Sequence, residues 1–242
     1  MSLLPNDHKV QGLTGMVERL AVAATRAADR YASEDPKPAV PGTGEVVGTP
    51  KLVGDNYVPM TVETFDNHIF YYTDVNTDRC LDLIKKIRAI DNDLRNQRVS
   101  RSLPKDFPDI PIWLHIQSGG GSLFTGLNMA DQLRTIETPI YSIVEGYCAS
   151  AATLISMSCK RRYVMPSAFF LIHQLQSWAF GTYEQFQDEL HVQDLLMERL
   201  YSFYEEKTKL KKLELKSLMR RDSWFNAEES IAKGFADEIW KP

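Results

Sequence analysis

Short apolar runs alternate with helix-spaced apolar stripes along the chain from about residue 57 onward. The runs have the length of buried strands, and the stripes repeat with the period of an α-helix. The strand-like runs are residues 67–75, 112–116, 139–144, 161–165 and 168–173. The helix-like segments are residues 78–94, 123–136, about 183–207 and a further helix before the closing segment at 223–240. This alternation predicts an α/β domain with a mainly parallel sheet.

The first 55 residues follow a different pattern. Apolar residues at helical spacing predict an amphipathic helix over residues 12–32, and a Pro- and Gly-rich linker follows at 34–56. We therefore expect an N-terminal extension at 1–55 and a folded domain at 56–242. The extension is interpreted as a flexible tail, with a propeptide or a partner-binding arm as the alternatives. A charged, Pro-containing stretch at 95–111 is expected to be a solvated loop.

Composition and charge narrow the classes of partner. The 242 residues are 43% apolar and 25% charged, as in globular proteins, and the net charge of -4 does not favour nucleic acid. No apolar run is long enough to cross a bilayer, and the N-terminus lacks the order of a secretory signal. The three cysteines have neither metal-ligand nor disulfide spacing, so we expect a reducing compartment and no metal or cofactor.

The stretch QSGGGS, residues 117–122, places three glycines between an apolar strand and a helix. Glycine lets another backbone approach closely, and free amides at a helix start attract negative charge. The stretch is neither a Walker sequence nor a dinucleotide fingerprint, because the lysine or the third glycine is not at its required place. From the residues alone, a tight turn and a cradle for a phosphate or an oxyanion both remain open.

Ser150 lies at a second strand-to-helix junction, in GYCASAATL. Its small neighbours would leave the hydroxyl accessible, and the amide of Ala151 at a helix start is free to stabilise an oxyanion. A serine nucleophile needs a base, and Lys160 is a poor one because it lies at the far end of the helix that Ser150 begins. A buried serine bonded to a nearby carbonyl is the structural alternative.

His173 is the candidate base, and Asp222 is the candidate acid that orients it. His173 follows an apolar strand, as Ser150 does, so both can lie at the same edge of the sheet. Asp222 follows Arg220 and Arg221, which would hold it ionised if they lie near it. The alternatives are a structural histidine at a strand end and an exposed loop aspartate.

The other four histidines fit a catalytic role less well. His115 is interpreted as a strand residue and His191 as a solvated helix residue, whereas His8 and His68 have no motif around them.

Four motifs in one order carry a resemblance to a known family. QSGGGS, GYCAS, LIHQ and RRDSWFNAEESIAKGFAD together resemble the Clp protease proteolytic subunit, over about residues 58–240. The resemblance implies a crotonase-like fold of repeated β-β-α units with a protruding handle helix, to which residues 183–207 are similar.

The resemblance also implies roles for individual residues. Ser150 becomes the nucleophile, His173 the general base and Asp222 the group that orients it. The implied oxyanion-hole amides are those of Gly121 and Ala151, and the implied substrate-binding residues are Gly119, Gly120, Ser122 and Leu175.

The motifs depart from the family pattern at several positions. Gln117 replaces an asparagine, and Gly119 and Leu175 each replace a proline, so the turn and the substrate groove differ in shape. Ala151 and Ala152 replace the Met-Gly that follows the nucleophile. None of these changes removes an atom of the three catalytic residues.

The partners and the location follow from the resemblance alone. It implies polypeptide substrates, self-association into rings or stacked rings of seven, a Clp-type ATPase partner, and the cytoplasm or an organelle stroma or matrix. We expect no nucleic-acid or membrane partner. The alternatives are a non-catalytic ring subunit and, with weaker support, a crotonase-type acyl-CoA enzyme, which would leave the serine, histidine and aspartate without a common explanation.

Overall fold

The computed structural model describes residues 62–104, 107–177 and 181–241. In these ranges the chain forms eight strands and six helices. In order they are β1 (Val62–Phe65), β2 (His68–Tyr71), α1 (Thr77–Ser100), β3 (Ile112–Ser118), α2 (Leu123–Leu133), β4 (Ile140–Ala149), α3 (Ala151–Met157), β5 (Arg161–Val164), β6 (Phe169–Ile172), α4 (Tyr183–Lys207), α5 (Lys212–Leu218), β7 (Ser223–Phe225), α6 (Ala227–Lys233) and β8 (Glu238–Ile239). The helix expected at 12–32 and the linker at 34–56 lie outside the described residues.

The strands form a sheet that branches at β4. The main path runs β1-β2-β3-β4-β5-β8, and β6 pairs with β4 while β7 pairs with β6. Only β1–β2 and β6–β7 among the described pairs are antiparallel, which confirms the prediction of a mainly parallel sheet.

Gly146 lies at the branch point of β4. Residues 141–144 pair with β5, and residues 147–149 pair with β6. Gly146 between them has φ of 69°, a left-handed conformation that costs glycine little because it has no β-carbon. The bend lets the second half of β4 leave the first part of the sheet, and β4 then ends at Ala149, directly before Ser150.

The core lies between the sheet and α1, α2 and α3. Every residue of α3 is buried, which the small and apolar sequence AATLISM permits. Gly126 of α2 lies so near α3 that a β-carbon there would come within 3.0 Å of the Ala151 carbonyl oxygen. A glycine at this crossing therefore lets the two helices pack closely.

Two element boundaries differ from the sequence prediction. The strand expected at 67–75 ends at Tyr71, and Val75 instead forms an isolated parallel bridge with Gly121. Helix α1 continues to Ser100, so the loop expected at 95–111 is shorter than predicted. The Arg98 side chain stabilises this last turn by bonding to Asp109 at 2.6 Å and to the carbonyls of Pro104 and Phe107.

Helix α4 confirms the long helix expected at about 183–207. It starts in a capping box between Thr182 and Gln185, and its buried residues, Leu200, Phe203 and Tyr204, all lie in its C-terminal third. Large apolar side chains are exposed along its first part, at Tyr183, Phe186, Leu190, Val192 and Leu195. The helix is thus anchored at its C-terminal end and carries an apolar surface on the remainder.

None of the helices in the described part of the chain is long and apolar enough to cross a membrane.

Candidate active site

Ser150 occupies a strained turn between β4 and α3. Its φ of 54° and ψ of −128° lie in a region that residues with a β-carbon rarely adopt. Such a conformation costs about 1–3 kcal/mol and persists only where the surrounding structure imposes it. The backbone amide of Ser150 donates to the Leu171 carbonyl at 2.9 Å, whereas its hydroxyl does not cap the helix. The turn therefore presents a serine hydroxyl that is free of a capping role.

The glycine turn packs directly against Ser150. A β-carbon at Gly120 would lie 2.7 Å from the β-carbon of Ser150 and 2.9 Å from the amide nitrogen of Ala151. Val75 holds the turn on its other side, donating to the Gly120 carbonyl at 2.7 Å and accepting from the Ser122 amide at 2.8 Å. The stretch is thus both a tight turn and a site of close backbone approach, the two properties that its glycines suggested.

The two expected oxyanion donors lie at this contact. The Ala151 amide is the first of α3 and has no carbonyl one turn before it to bond. The bridge with Val75 uses the Gly120 carbonyl and the Ser122 amide, and the Gly121 amide donates to no backbone carbonyl within the described residues. Both amides are therefore available to an acceptor.

The strand register brings the three predicted catalytic residues to one edge of the sheet. Ala149 pairs with Leu171 in the parallel β4–β6 ladder, and Ile172 pairs with Ser223 in the antiparallel β6–β7 ladder. Ser150, His173 and Asp222 are the next residues beyond these pairs. The β6–β7 register therefore places His173 opposite Asp222, and the β4–β6 register places Ser150 beside β6 one residue short of His173.

The three side chains are not joined by hydrogen bonds. His173 Nδ1 lies 2.6 Å from the Gln174 carbonyl oxygen, and in the described ranges no bond joins its ring to Ser150 or Asp222. Asp222 is exposed, and the ion pairs of the described part do not join it to Arg220 or Arg221. The fold thus supplies the positions, and the condition that Arg220 and Arg221 lie close enough to pair with Asp222 is not met in the described part of the chain.

The expected substrate-binding residues other than Gly120 differ in their surroundings. Gly119 is half-buried, and Ser122 is exposed and caps α2 by accepting from the Thr125 amide. Leu175 is half-buried, and its amide lies 3.3 Å from the Met197 sulfur of α4. The segment after His173 therefore contacts the C-terminal half of α4.

Gln117, which replaces an asparagine of the family pattern, lies against the bend of β4. A β-carbon at Gly146 would come within 3.0 Å of its side-chain oxygen.

Lys160 is exposed beyond the far end of α3, so the structure places it away from Ser150.

The sequence did not predict a polar cluster that lies on the sheet. His115 Nδ1 lies 2.8 Å from Glu145 Oε1, His68 Nδ1 lies 2.9 Å from His115 Nε2, and the Tyr72 hydroxyl donates to Glu145 Oε2. His115 is a buried strand residue, as predicted, and its partners His68 and Glu145 come from the two neighbouring strands, which are far from it in sequence. We call these four residues the sheet cluster. His191 is exposed on α4, as expected, and His8 lies outside the described residues.

The protonation of the sheet cluster follows from its contacts. Burial lowers the pKa of His68, and the neighbouring His115 lowers it further against the opposing effect of Asp66. Burial alone would raise the pKa of Glu145, but hydrogen bonds from His115 and Tyr72 outweigh it and lower the pKa. A neutral His68 and an ionised Glu145 are therefore the favoured forms in the folded protein.

The three cysteines are buried and unpaired. Burial raises the pKa of the Cys148 and Cys159 thiols, the latter to about 12, so both are in the unreactive protonated form near neutral pH. No group of three or more metal-binding side chains occurs in residues 62–104, 107–177 and 181–241.

The fold and the turn together define an α/β protein that presents a serine at a strand-to-helix junction, beside free backbone amides. This is the arrangement that acyl-transfer enzymes use for a nucleophile and its oxyanion.

The family model for Clp protease matches residues 66–242, and the chain belongs to this family of serine peptidases. A proteolytic subunit 2 of the ATP-dependent Clp protease from Treponema denticola is 33% identical over 54% of this chain and 66% of its own length. The ATP-dependent Clp protease proteolytic subunit of Streptococcus mutans is 31% identical over 62% of this chain and 80% of its own length.

A solved structure shares the fold. A point mutant of ClpP1 from Listeria monocytogenes matches 73% of this chain and 92% of its own, with a TM-score of 0.61 at 20% sequence identity. The expected crotonase-like ClpP fold is therefore confirmed.

Proposed function

We propose that the protein is a serine endopeptidase in which Ser150 is the nucleophile, His173 the general base and Asp222 the residue that orients the base. The observation that carries the proposal is the strained Ser150 turn packed against Gly120, next to two backbone amides that donate to no backbone carbonyl within the described residues. Membership of the Clp protease family supports the same reaction.

The contacts of His173 suit it to act as a base. The Gln174 carbonyl can only accept, so Nδ1 carries the proton of the neutral ring and donates it there. Nε2 is then left with a lone pair that can take the proton of the Ser150 hydroxyl. Asp222, at the adjacent ladder position, would replace the Gln174 carbonyl as the acceptor and stabilise the charged ring.

The reaction would proceed through an acyl-enzyme. The Ser150 oxygen attacks the carbonyl carbon of the scissile bond while its proton moves to His173, and the amides of Gly121 and Ala151 donate to the oxyanion. Collapse of this intermediate breaks the C–N bond, and His173 returns the proton to the leaving amine. A water molecule activated by the same base then releases the acyl group.

We further propose that copies of the chain assemble into rings through α4, with unfolded polypeptides as substrates. The exposed apolar residues on the first part of α4 support an association surface. The relatives carry the name of ATP-dependent proteolytic subunits, which supports an ATPase partner for this chain as well. The cytoplasm, or an organelle stroma or matrix, is proposed on the same basis.

A fluorophosphonate probe tests the nucleophile. The probe should label the assembled protein at Ser150, and Ser150→Ala should abolish both labelling and peptide hydrolysis. Ser158→Ala is the matched control, because Ser158 follows the last residue of the same short helix and its hydroxyl donates to the Leu154 carbonyl. Labelling that survives in Ser150→Ala would contradict the assignment.

A non-catalytic ring subunit is the second candidate. The observation that favours it is the lack of a bond between His173 and either partner residue in the described part of the chain. A particle that is assembled by sedimentation, yet neither labelled nor active with peptides of varied sequence, would favour this candidate over the peptidase.

A further inference from the structure

Two buried hydroxyl groups lie beneath the Ser150 turn. The Thr153 hydroxyl is 2.6 Å from the Ser150 carbonyl oxygen, and the Tyr204 hydroxyl is 2.7 Å from the Thr153 hydroxyl. Thr153 is fully buried and Tyr204 nearly so. The two residues are 51 positions apart, and Tyr204 comes from α4 rather than from the strands that build the site.

The hydrogen bonds among these groups are all donated in one direction, from Tyr204 through Thr153 to the Ser150 carbonyl. A carbonyl oxygen can only accept, so the Thr153 hydroxyl donates its single proton to Ser150. Tyr204 must then donate to the Thr153 oxygen, since a buried tyrosine proton without an acceptor would be costly. Burial raises the pKa of Tyr204, which keeps that proton in place. Successive hydroxyl bonds polarise one another, so the bond from Tyr204 to Thr153 strengthens the bond from Thr153 to the Ser150 carbonyl.

The carbonyl that receives these bonds belongs to the same peptide unit as the Ala151 amide. In a trans peptide the C=O and the N–H point in opposite directions within one plane. The Ser150 carbonyl also accepts from the Thr153 amide at 3.0 Å, so two donors hold it on the Thr153 side. The Ala151 N–H is thereby directed away from Thr153, on the side that Gly120 approaches.

We propose that Tyr204 and Thr153 are positioning residues that aim the Ala151 amide at the oxyanion, an inference that rests on the proposed function of Ser150. Tyr204 lies where α4 enters the core, next to the buried Phe203, so it connects the long helix to the nucleophile turn. Because the oxyanion forms only during the reaction, this positioning acts on kcat and leaves KM nearly unchanged.

The test removes the hydroxyls without changing side-chain shape. Tyr204→Phe should lower kcat for a peptide substrate roughly three- to tenfold, the weight of one hydrogen bond, at constant KM. Thr153→Val should lower kcat roughly 10- to 100-fold, because it removes both hydroxyl bonds, and Thr153→Ser should restore most of the activity. A peptide aldehyde, which forms a tetrahedral adduct with an oxyanion, should lose affinity in parallel with kcat/KM across the three variants.

Two controls separate the possible failures. Tyr201→Phe changes a half-buried tyrosine on the same helix whose ring packs against the core and contacts Lys216, and it should leave kcat unchanged. Thermal unfolding of each variant identifies any loss that comes from instability. Activity that persists in Ser150→Ala overturns the proposed function together with this inference. Loss of activity in Ser150→Ala, with a wild-type kcat in Tyr204→Phe and Thr153→Val, overturns this inference alone.

Discussion

Gly120 and Ser150 are in such close contact that residue 120 has no space for a side chain. A β-carbon there would lie 2.7 Å from the Ala149 carbonyl oxygen and 2.7 Å from the Ser150 β-carbon. The φ of Gly120, 92°, is also one that a residue with a β-carbon rarely adopts. The turn that carries the expected oxyanion amide and the turn that carries the nucleophile are thus packed as one unit.

Gly120→Ala should therefore disrupt the site. The added methyl group must push the two turns apart, and a displacement of about 1 Å at a reacting group can lower the rate roughly a hundredfold. Peptide hydrolysis, measured as kcat/KM, checks this. Gly234→Ala is the control for strain, because Gly234 ends α6 with φ of 86° and plays no part in the proposed site. A similar activity loss in both variants would mean that instability, not site geometry, is responsible.

Asp222→Asn should lower kcat by roughly 10²- to 10⁴-fold with little change in KM, if Asp222 orients and stabilises the charged His173 ring. The position of Asp222 beyond the Ile172–Ser223 pair is the structural basis of this expectation. Glu228→Gln removes an exposed carboxylate on the neighbouring helix and should have no effect on kcat. An Asp222→Asn variant with normal kcat would exclude the aspartate from the mechanism.

Charged residues on the apolar surface of α4 should prevent assembly. Leu190 and Leu195 are 57% and 58% exposed, and burying the exposed part of each in an interface would contribute about 1–2 kcal/mol. Leu190→Asp and Leu195→Asp are expected to shift the protein to smaller species in sedimentation velocity. Gln187→Glu adds a charge at an exposed polar position of the same helix and should leave the particle intact. Unchanged sedimentation of the aspartate variants would place the association surface elsewhere.

The sheet cluster should make folding stability sensitive to acid. The folded protein resists protonation of His68, so the unfolded chain binds more protons as the pH falls below the ordinary histidine value of 6.5. The contribution of His68 to the free energy of unfolding is therefore fully present above that pH and declines below it. The lowered pKa of Glu145 adds a second decline below its ordinary value of 4.5. Urea unfolding at a series of pH values checks both windows.

His68→Gln is the matching variant, because it removes the titrating ring but keeps a side chain that can donate to His115. It should flatten the decline below pH 6.5 and leave the more acidic decline in place. His191→Gln, at an exposed position of α4, should preserve the wild-type profile. A decline of unchanged size in His68→Gln would assign the first window to other groups.

Arg162 joins three segments that are far apart in sequence. Its guanidinium donates to the carbonyls of Lys207 and Gly234 at 2.9 and 3.0 Å and to Asp237 at 2.7 Å. Lysine cannot reproduce this planar set of donors, so Arg162→Lys should lower the free energy of unfolding by about 1–3 kcal/mol. Urea denaturation measures the change, and Arg161→Lys, at the exposed neighbouring position, should show none.

The C-terminal end of α1 is a feature that apolar spacing does not predict. Apolar spacing predicts this helix over residues 78–94, and the stretch at 95–111 is predicted to be a loop because it is charged and contains proline. The helix continues to Ser100 because Arg98 bonds to carbonyls and a carboxylate of the segment beyond it. Such long-range side-chain bonds leave no periodic signal in the sequence.

The sequence by itself determined the type and order of most elements and the family, because apolar periodicity and the four ordered motifs are local properties of the chain. It also marked Ser150, His173 and Asp222, whose catalytic roles stay predictions. Only the tertiary structure decided that Gly120 touches the Ser150 turn, that two histidines share the sheet cluster, and that Tyr204 reaches Thr153 from 51 residues away. These contacts arise from strand register and from the packing of α4 against α3, which bring together residues that have no relation along the chain.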